Sequence, residues 1–173
     1  DALESLYTQT ENWECLCENF GTKLQLTSDD EEKRTILKQM AQLQEEKLKD
    51  YAEATQLYVQ IMDIFPNDED TLNSLDRLYL SQECYDDLCD ILTKKLELNR
   101  ESELADAIEY RLGQVYQTKL ESVEQAIEYY RSILERRPEH EDANTALRGL
   151  LENEDYRLDA SRVLESVYER TEQ

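Results

Sequence analysis

Apolar positions recur along this chain at three- and four-residue spacing almost from end to end. Leu37, Met40, Ala41 and Leu43, followed by Gln44, share one stripe, and Ala54, Leu57, Tyr58 and Ile61 share the next. That spacing is the signature of a helix with one buried face. Polar residues that favour helix starts lie between the stripes. Asp50 with Glu53, and Ser122 with Gln125, read as capping boxes, in which the first side chain accepts a first-turn amide and the third residue reaches back. Asp68, just past Pro66, reads as the cap of the helix that follows. The pairs Asp29 with Asp30 and Asp86 with Asp87 read as first-turn acids at the positive end of a helix dipole.

The helical pattern repeats. The offset between the only two prolines, Pro66 and Pro138, is 138 − 66 = 72, and their surroundings move with them. Leu3, Leu6 and Tyr7 recur as Leu75, Leu78 and Tyr79; Leu16 and Cys17 as Leu88 and Cys89; Lys23, Leu24 and Leu26 as Lys95, Leu96 and Leu98. Ala54, Tyr58, Ile61 and Pro66 recur as Ala126, Tyr130, Ile133 and Pro138. Roughly 20 of the first 70 positions are identical at this offset, against about four for unrelated sequence, so the repeat is real. Such a period is two helical hairpins of about 36 residues each. The spacing therefore predicts an all-α chain of about ten helices.

A third copy begins at Leu147, Leu150 and Leu151. The chain then departs from the period. Leu164, Glu165, Ser166, Val167, Tyr168, Glu169, Arg170, Thr171 and Glu172 echo Leu3 to Glu11 at an offset of 164 − 3 = 161. A longer repeat nested over the shorter one, together with an opening in mid-pattern, leads us to expect a piece of a longer array.

Residues Ala107, Leu112, Gly113, Tyr116, Ala126, Tyr130, Ile133 and Pro138 resemble a tetratricopeptide repeat, with its small residue in the first helix, its alanine and aromatic in the second, and its closing proline. Met40, Ala41, Ala54, Tyr58, Ile61 and Pro66 repeat the pattern, and both hairpins hold one residue more between their helices than the family consensus. Small residues at Ala41, Gly113, Ala54 and Ala126 would let two helices approach closely. The alternate hairpins are weaker matches. Leu3, Tyr7, Trp13, Leu16 and Phe20, with Leu75, Tyr79, Tyr85, Leu88 and Leu92, keep the apolar positions, but Glu4 and Asp76 stand where the family has Gly or Ala, which predicts looser packing. The alternation of strong and weak units is also similar to the long bacterial arrays of some gliding species.

The resemblance implies a right-handed α-solenoid of antiparallel helical hairpins over residues 1–173, in units 1–28, 29–67, 68–100, 101–139 and 140–173. It also implies a concave groove, lined by the first helix of each hairpin, that takes an extended peptide or a partner helix. Carried onto this chain, the groove positions are Lys38, Gln42, Asn73, Arg77, Tyr110 and Gln114, with Thr35, Glu45, Ser81 and Gln117 beside them. The chaperone-tail clamp of some family members needs several Lys, Arg and Asn converging on a carboxylate, and Lys38, Asn73 and Arg77 match it only in part. Trp13, Tyr58, Tyr116 and Tyr130 are expected in the core.

Composition narrows the function. With 41 acids against 19 bases the formal charge is −22, which repels phosphate backbones and anionic lipid, so neither nucleic acid nor membrane is an expected partner. A protein or peptide is, with a basic one favoured, and a repeat array can also associate end to end. The competing reading is a structural spacer whose repeats bind only each other. No apolar run approaches the roughly 20 residues of a membrane span.

Cys15 with Cys17 and Cys84 with Cys89 sit at spacings that point to different helix faces, and no Cys-x-x-Cys occurs, so four reduced, buried, structural thiols, no metal and a cytoplasmic setting are expected. The lone His140, beside Pro138, is expected at a hairpin corner. No nucleotide loop, hydrolase elbow or zinc-protease motif is present, so no catalytic residue and no cofactor are expected.

Overall fold

The computed structural model describes residues 2–171, the side chain of Thr171 excepted. Asp1, Glu172 and Gln173 lie outside the described residues, and with them Glu172 of the C-terminal echo and the outermost ends of the first and last expected units. Ten α-helices follow one another: α1 Ala2–Gln9, α2 Trp13–Leu26, α3 Asp30–Leu43, α4 Tyr51–Ile64, α5 Glu69–Ser81, α6 Tyr85–Leu98, α7 Leu104–Thr118, α8 Val123–Arg136, α9 Glu141–Leu150 and α10 Arg157–Thr171. No strand occurs among the described residues, so the fold is all-α, as the periodicity predicts.

Starts are set by short polar side chains. Asp29 Oδ1 accepts the Glu32 amide at 2.8 Å, Asp50 Oδ1 accepts that of Glu53 at 3.0 Å, and Asp68 Oδ2 accepts both the amide and the hydroxyl of Thr71 at 3.0 and 2.6 Å. The boxes themselves are incomplete. Ser122 makes no side-chain capping bond, and the backbone N–H groups of Asp50 and Ser122 donate instead to Gln44 and Tyr116 carbonyls, both at 2.9 Å. A returning carbonyl of the preceding helix thus fills the place that Glu53 and Gln125 were expected to take.

That returning carbonyl comes from the extra residue between the helices. In the first strong hairpin it is absorbed by a π-helical turn, Gln44–Leu48, continuing α3. In the second, the Leu120 N–H reaches the Val115 carbonyl at 3.1 Å, five residues back. Each turn then closes through a left-handed residue. Lys49 and Glu121, with φ of 60° and 53°, are one repeat period apart, as are Glu11 and Glu83 at 53° and 58°. These are helix ends where glycine is the usual residue.

The helices fall into two compact units, residues 1–83 and 84–173. In the first, Leu16 and Phe20 of α2 meet Ile36 and Leu43 of α3, with Tyr7, Trp13, Cys17, Leu24 and Met40 around them. α4 packs between α3 and α5 and buries Ala54, Leu57, Tyr58, Ile61 and Met62. At Glu4 a charged pair takes the place of close packing, and α1 buries none of its residues. The Glu4 carboxylate takes the Lys23 ammonium of α2, which holds it below the usual carboxylate range. At the equivalent position Asp76 is buried, 6% exposed.

In the second unit α7 and α8 form the most extensive pair, and α8 lies against both α9 and α10. Ala126, Ile127, Tyr130, Ile133 and Leu134 of α8 share one core with Ala143, Leu147 and Leu150 of α9 and with Ala160, Val163, Leu164 and Val167 of α10. Gly113 is small for a reason that differs from the expected backbone approach. A Cβ there would stand 2.5 Å from Tyr130 Cε1 and 2.9 Å from Cζ, so the glycine makes room for an aromatic ring. The Tyr130 hydroxyl donates to Gln117 Oε1 at 2.8 Å. Of the expected core aromatics, Tyr58 and Tyr130 are buried while Trp13 and Tyr116 are half-buried.

Stability measurements test both the ring and the turns. Gly113→Ala gains about 0.5–1 kcal/mol of helix propensity but overpacks against Tyr130 at about 1–3 kcal/mol, so urea unfolding should show a net loss. In a Tyr130→Leu background the same substitution should cost nothing further. Glu121→Gly relieves a left-handed residue and should stabilise the chain by about 0.5–1 kcal/mol, read as a rise in Tm.

Candidate functional site

Within residues 1–83, four of the expected groove residues lie on two helices, each that of a hairpin's first position. Lys38 and Gln42 are one turn apart on α3, Asn73 and Arg77 one turn apart on α5, and Gln42 and Asn73 are exposed. Both cations are already engaged. Lys38 Nζ lies 2.5 Å from Asp70 Oδ2, and the ammonium holds the Asp70 carboxyl below its ordinary range. Arg77 forks onto Glu45, with Nη2 2.9 Å from Oε2 and Nη1 on Oε1, which raises its own pKa further. Arg34 continues the ladder to Asp68 at 3.3 Å and lies 5.3 Å over the Phe65 ring.

Three charged pairs therefore tie α3 and the turn after it to α5 and its cap. Sequence reasoning placed Lys38 and Arg77 on the groove but missed their partners. The only signal was spacing, since both pairs are 32 residues apart. An ion pair between consecutive repeats leaves no mark within either helix.

Within residues 84–173, α7 carries Tyr110 and Gln114. Gln114 Nε2 donates to the Tyr110 hydroxyl at 3.2 Å, and the half-buried Tyr110 ring lies 5.8 Å from Tyr130 and 6.1 Å from His140. His140 is at the corner expected of it, where its Nδ1 accepts the Ala143 amide at 3.3 Å and caps α9. Gln117 is committed to Tyr130. Behind this face Asp106 and Glu109 of α7 are buried and clamped by α8: Arg136 Nη2 is 2.9 Å from Asp106 and 2.5 Å from Glu109, and Arg137 is 3.1 Å from Asp106. A polar recess of about 270 Å³ beside the clamp is lined by Leu96, Arg100, Ala105, Glu109 and Arg136.

The cysteines belong to a seam that repeats in both units. Cys17 Sγ accepts from Gln44 Nε2 at 3.4 Å, and Cys89 bonds Tyr116, the same two positions one repeat period on. Lys47 lies 5.3 Å over the Trp13 ring, and Lys119 lies 5.2 Å over Tyr85, again at equivalent positions of the repeat. Only Cys89 is fully buried; Cys15, Cys17 and Cys84 are half-buried. Burial pushes the Cys89 thiol up to about 11 and raises Cys17 as well. Among the described residues no group of three or more His, Cys, Asp and Glu could hold a metal, and no helix is long and apolar enough to cross a membrane.

At pH 8 a thiol with that pKa has a thiolate fraction at least about a hundredfold below that of an ordinary cysteine. Cys89 should accordingly be the last of the four to react with Ellman's reagent in the native protein, by about two orders of magnitude. Mass spectrometry of partially labelled protein checks this, and urea should abolish the difference.

Residues 106–140, spanning α7, α8 and the Pro138 corner, match the family model described as a tetratricopeptide repeat. Among solved structures, a crystal structure of MamA is similar over 98% of this chain and 94% of that one, with 14% identity and a TM-score of 0.53. The MamA RS-1 ArsTM double mutant gives 17% identity and 0.53 over 99% and 93%. The nearly identical TPR-like repeats of a Podosopora anserina putative kinesin light chain give 18% identity and 0.50 over 96% and 90%. At these identities the likeness is one of fold. No curated protein matches the chain by sequence. Residues 106–140 thus match a tetratricopeptide repeat, and the chain as a whole shares the all-α, tetratricopeptide-like fold of these solved structures.

Proposed function

We propose that this chain, read as the five units 1–28, 29–67, 68–100, 101–139 and 140–173, takes an extended peptide or a partner helix on the outward faces of its hairpins' first helices, α3 and α5 within residues 1–83 and α7 within residues 84–173, each considered by itself. The general role of tetratricopeptide repeats as protein-interaction scaffolds supports the class of function. The observation that carries the finer reading is Tyr110, a half-buried aromatic with Gln114 beside it and His140 at its edge. Gln42 and Asn73 offer exposed amides on the equivalent helices of the other unit. Exposed amides and an aromatic edge suit a peptide backbone, which needs donors and acceptors in turn and a surface to lie on.

Lys38 and Arg77 take a different part in this reading from the one their positions imply. A ligand carboxylate would have to displace Asp70 or Glu45, so these cations hold α3 to α5 and the amides and Tyr110 make the contact. The formal charge of −22 favours a basic partner. The spacer reading has its own support in the same two ion pairs, which join repeats to each other.

Panning a phage-displayed library of short random peptides separates the two. We expect enriched, Lys- or Arg-containing peptides whose affinity drops about fivefold in Tyr110→Ala, for loss of roughly 1 kcal/mol of ring contact, and similarly in a Gln42→Ala/Asn73→Ala double variant. Glu128, exposed on α8 and paired with Arg131, is the control, and Glu128→Ala should bind as the parent does. Enriched peptides that bind all variants equally would place the contact elsewhere, and a library that yields none would leave the spacer reading.

A further inference from the structure

The two strong hairpins repeat each other closely enough to be confused. Ala54, Tyr58 and Ile61 of α4 recur as Ala126, Tyr130 and Ile133 of α8, and all six are buried. These apolar residues give α3 little ground for choosing α4 over α8, or α7 for choosing α8 over α4. Four positions at the other end of each hairpin do differ. In the first hairpin Arg34 lies over Phe65, 5.3 Å from the ring centroid; their counterparts one period on, Asp106 and Arg137, form an ion pair at 3.1 Å. Where the first has Leu37, 2% exposed, the second has Glu109, 8% exposed. Where the first has Ile64, the second has Arg136, whose Nη2 lies 2.5 Å from Glu109 and 2.9 Å from Asp106. The Ser132 hydroxyl donates to Glu109 Oε1 at 3.2 Å and accepts from Arg136 Nη1 at 3.0 Å, which closes the network. Stability does not demand this clamp, because replacing a buried ion pair by apolar residues of similar volume is often neutral or stabilising.

We propose that the clamp is a pairing key: it makes α7 accept α8 and reject α4, and makes α8 reject α3, whether the competing helix belongs to the same chain or to a second copy. Against α4, Asp106 would meet Phe65 and Glu109 would meet Ile64, which leaves two carboxylates out of water with no cation. Against α3, Arg137 would meet Arg34 and Arg136 would meet Leu37, which sets like charges together and a guanidinium on an aliphatic chain. Each exchange keeps the apolar core and fails at these four positions. Removing one partner of a buried pair is strongly unfavourable although removing both is not, and that asymmetry is what lets a pair discriminate. A chain of near-repeats has use for it, since exchange of like elements between copies is a low-cost route to dimers. The key lies behind the face given to the peptide and does not depend on that reading.

Substitutions in the full chain reproduce the wrong pairings one at a time. Arg136→Ile with Arg137→Phe sets α7 against the residues of α4, and Asp106→Arg with Glu109→Leu sets α8 against those of α3. Each half-swap should lower the folding equilibrium constant at least about a hundredfold, read from urea unfolding followed by circular dichroism. All four substitutions together restore a matched set and should bring the constant back to within about tenfold of the parent, the non-additivity that marks coupled residues. The fourfold variant should also lose discrimination. Refolded from urea at high concentration, it should sediment as dimer in several times the parent's yield, with carbodiimide cross-links joining α3 of one copy to α8 of another. Half-swaps as stable as the parent, or a fourfold variant that loses as much as the two half-swaps together, would overturn the proposal. So would a fourfold variant that refolds to monomer in the parent's yield, since the clamp would then hold its helices without choosing between them.

Discussion

A two-helix hairpin buries the stripe between its helices and leaves a second stripe open, so a neighbour must cover it before the hairpin is stable. In both units of this protein part of that cover is made at a recurring seam, where the second helix of a weak hairpin packs on the first helix of a strong one and reaches its turn. Lys47 over Trp13 and Gln44 on Cys17 make the seam in one unit; Lys119 over Tyr85 and Tyr116 on Cys89 make it in the other. The magnitudes separate two roles. An exposed cation–π contact contributes about 0.5–1 kcal/mol, whereas burying one leucine contributes about 1.5–3 kcal/mol. Apolar burial such as that of Leu16 and Leu88 therefore supplies the stability. The polar contacts at the rim set which turn meets which helix.

That seam explains how strong and weak hairpins coexist in one chain. The strong ones are set by shape: Tyr130 sits over Gly113 so closely that no side chain fits between them, and Ala41 and Tyr58, at the same repeat positions, are both buried. The weak ones have a carboxylate where the small residue would be. Glu4 is satisfied by Lys23 and not by close packing, so the hairpin is held by a charged pair whose strength depends on a partner helix being in place. Such a unit depends more on its neighbours than a strong one does, which fits their alternation.

Helix type, hairpin period and the aspartate starts were legible in the sequence because each depends on residues close along the chain. Asp29, Asp50 and Asp68 act on amides three residues away, so local pattern sufficed. The C-terminal echo shows where pattern misleads. Leu164 and Val167 are buried in α10, which closes a hairpin, whereas Leu3 and Leu6 stand half exposed on α1, which opens one. The register of the shorter repeat aligns α10 with α2 instead, with Ala160 and Leu164 at the places of Leu16 and Phe20, all buried. Leucines at three-residue spacing resemble each other in any amphipathic helix, so likeness over nine residues did not carry structural equivalence. The surroundings of the expected groove residues were half legible for a related reason. Faces follow from helical phase, but Asp70 and Glu45 reach Lys38 and Arg77 only through the stacking of one repeat on the next.

That stacking also decides what the chain offers to a partner. Lys23, Arg34, Lys38, Arg77, Arg136 and Arg137 bridge helices through carboxylates, and Lys47 and Lys119 cover aromatic rings, so these eight of the 19 bases serve internal contacts. Each such pair neutralises one acid, but with 41 acids present most carboxylates remain without a base of their own. The two cations at the expected groove positions, Lys38 and Arg77, are thus among those the architecture uses, and the net surplus of charge is negative. Under the proposed reading this negative surplus favours a basic partner over an acidic one. Because exposed charges are screened beyond a Debye length of about 8–10 Å, that preference acts mainly on encounter and weakens with salt, while the amides of Gln42, Asn73 and Gln114 and the ring of Tyr110 would define the contact itself.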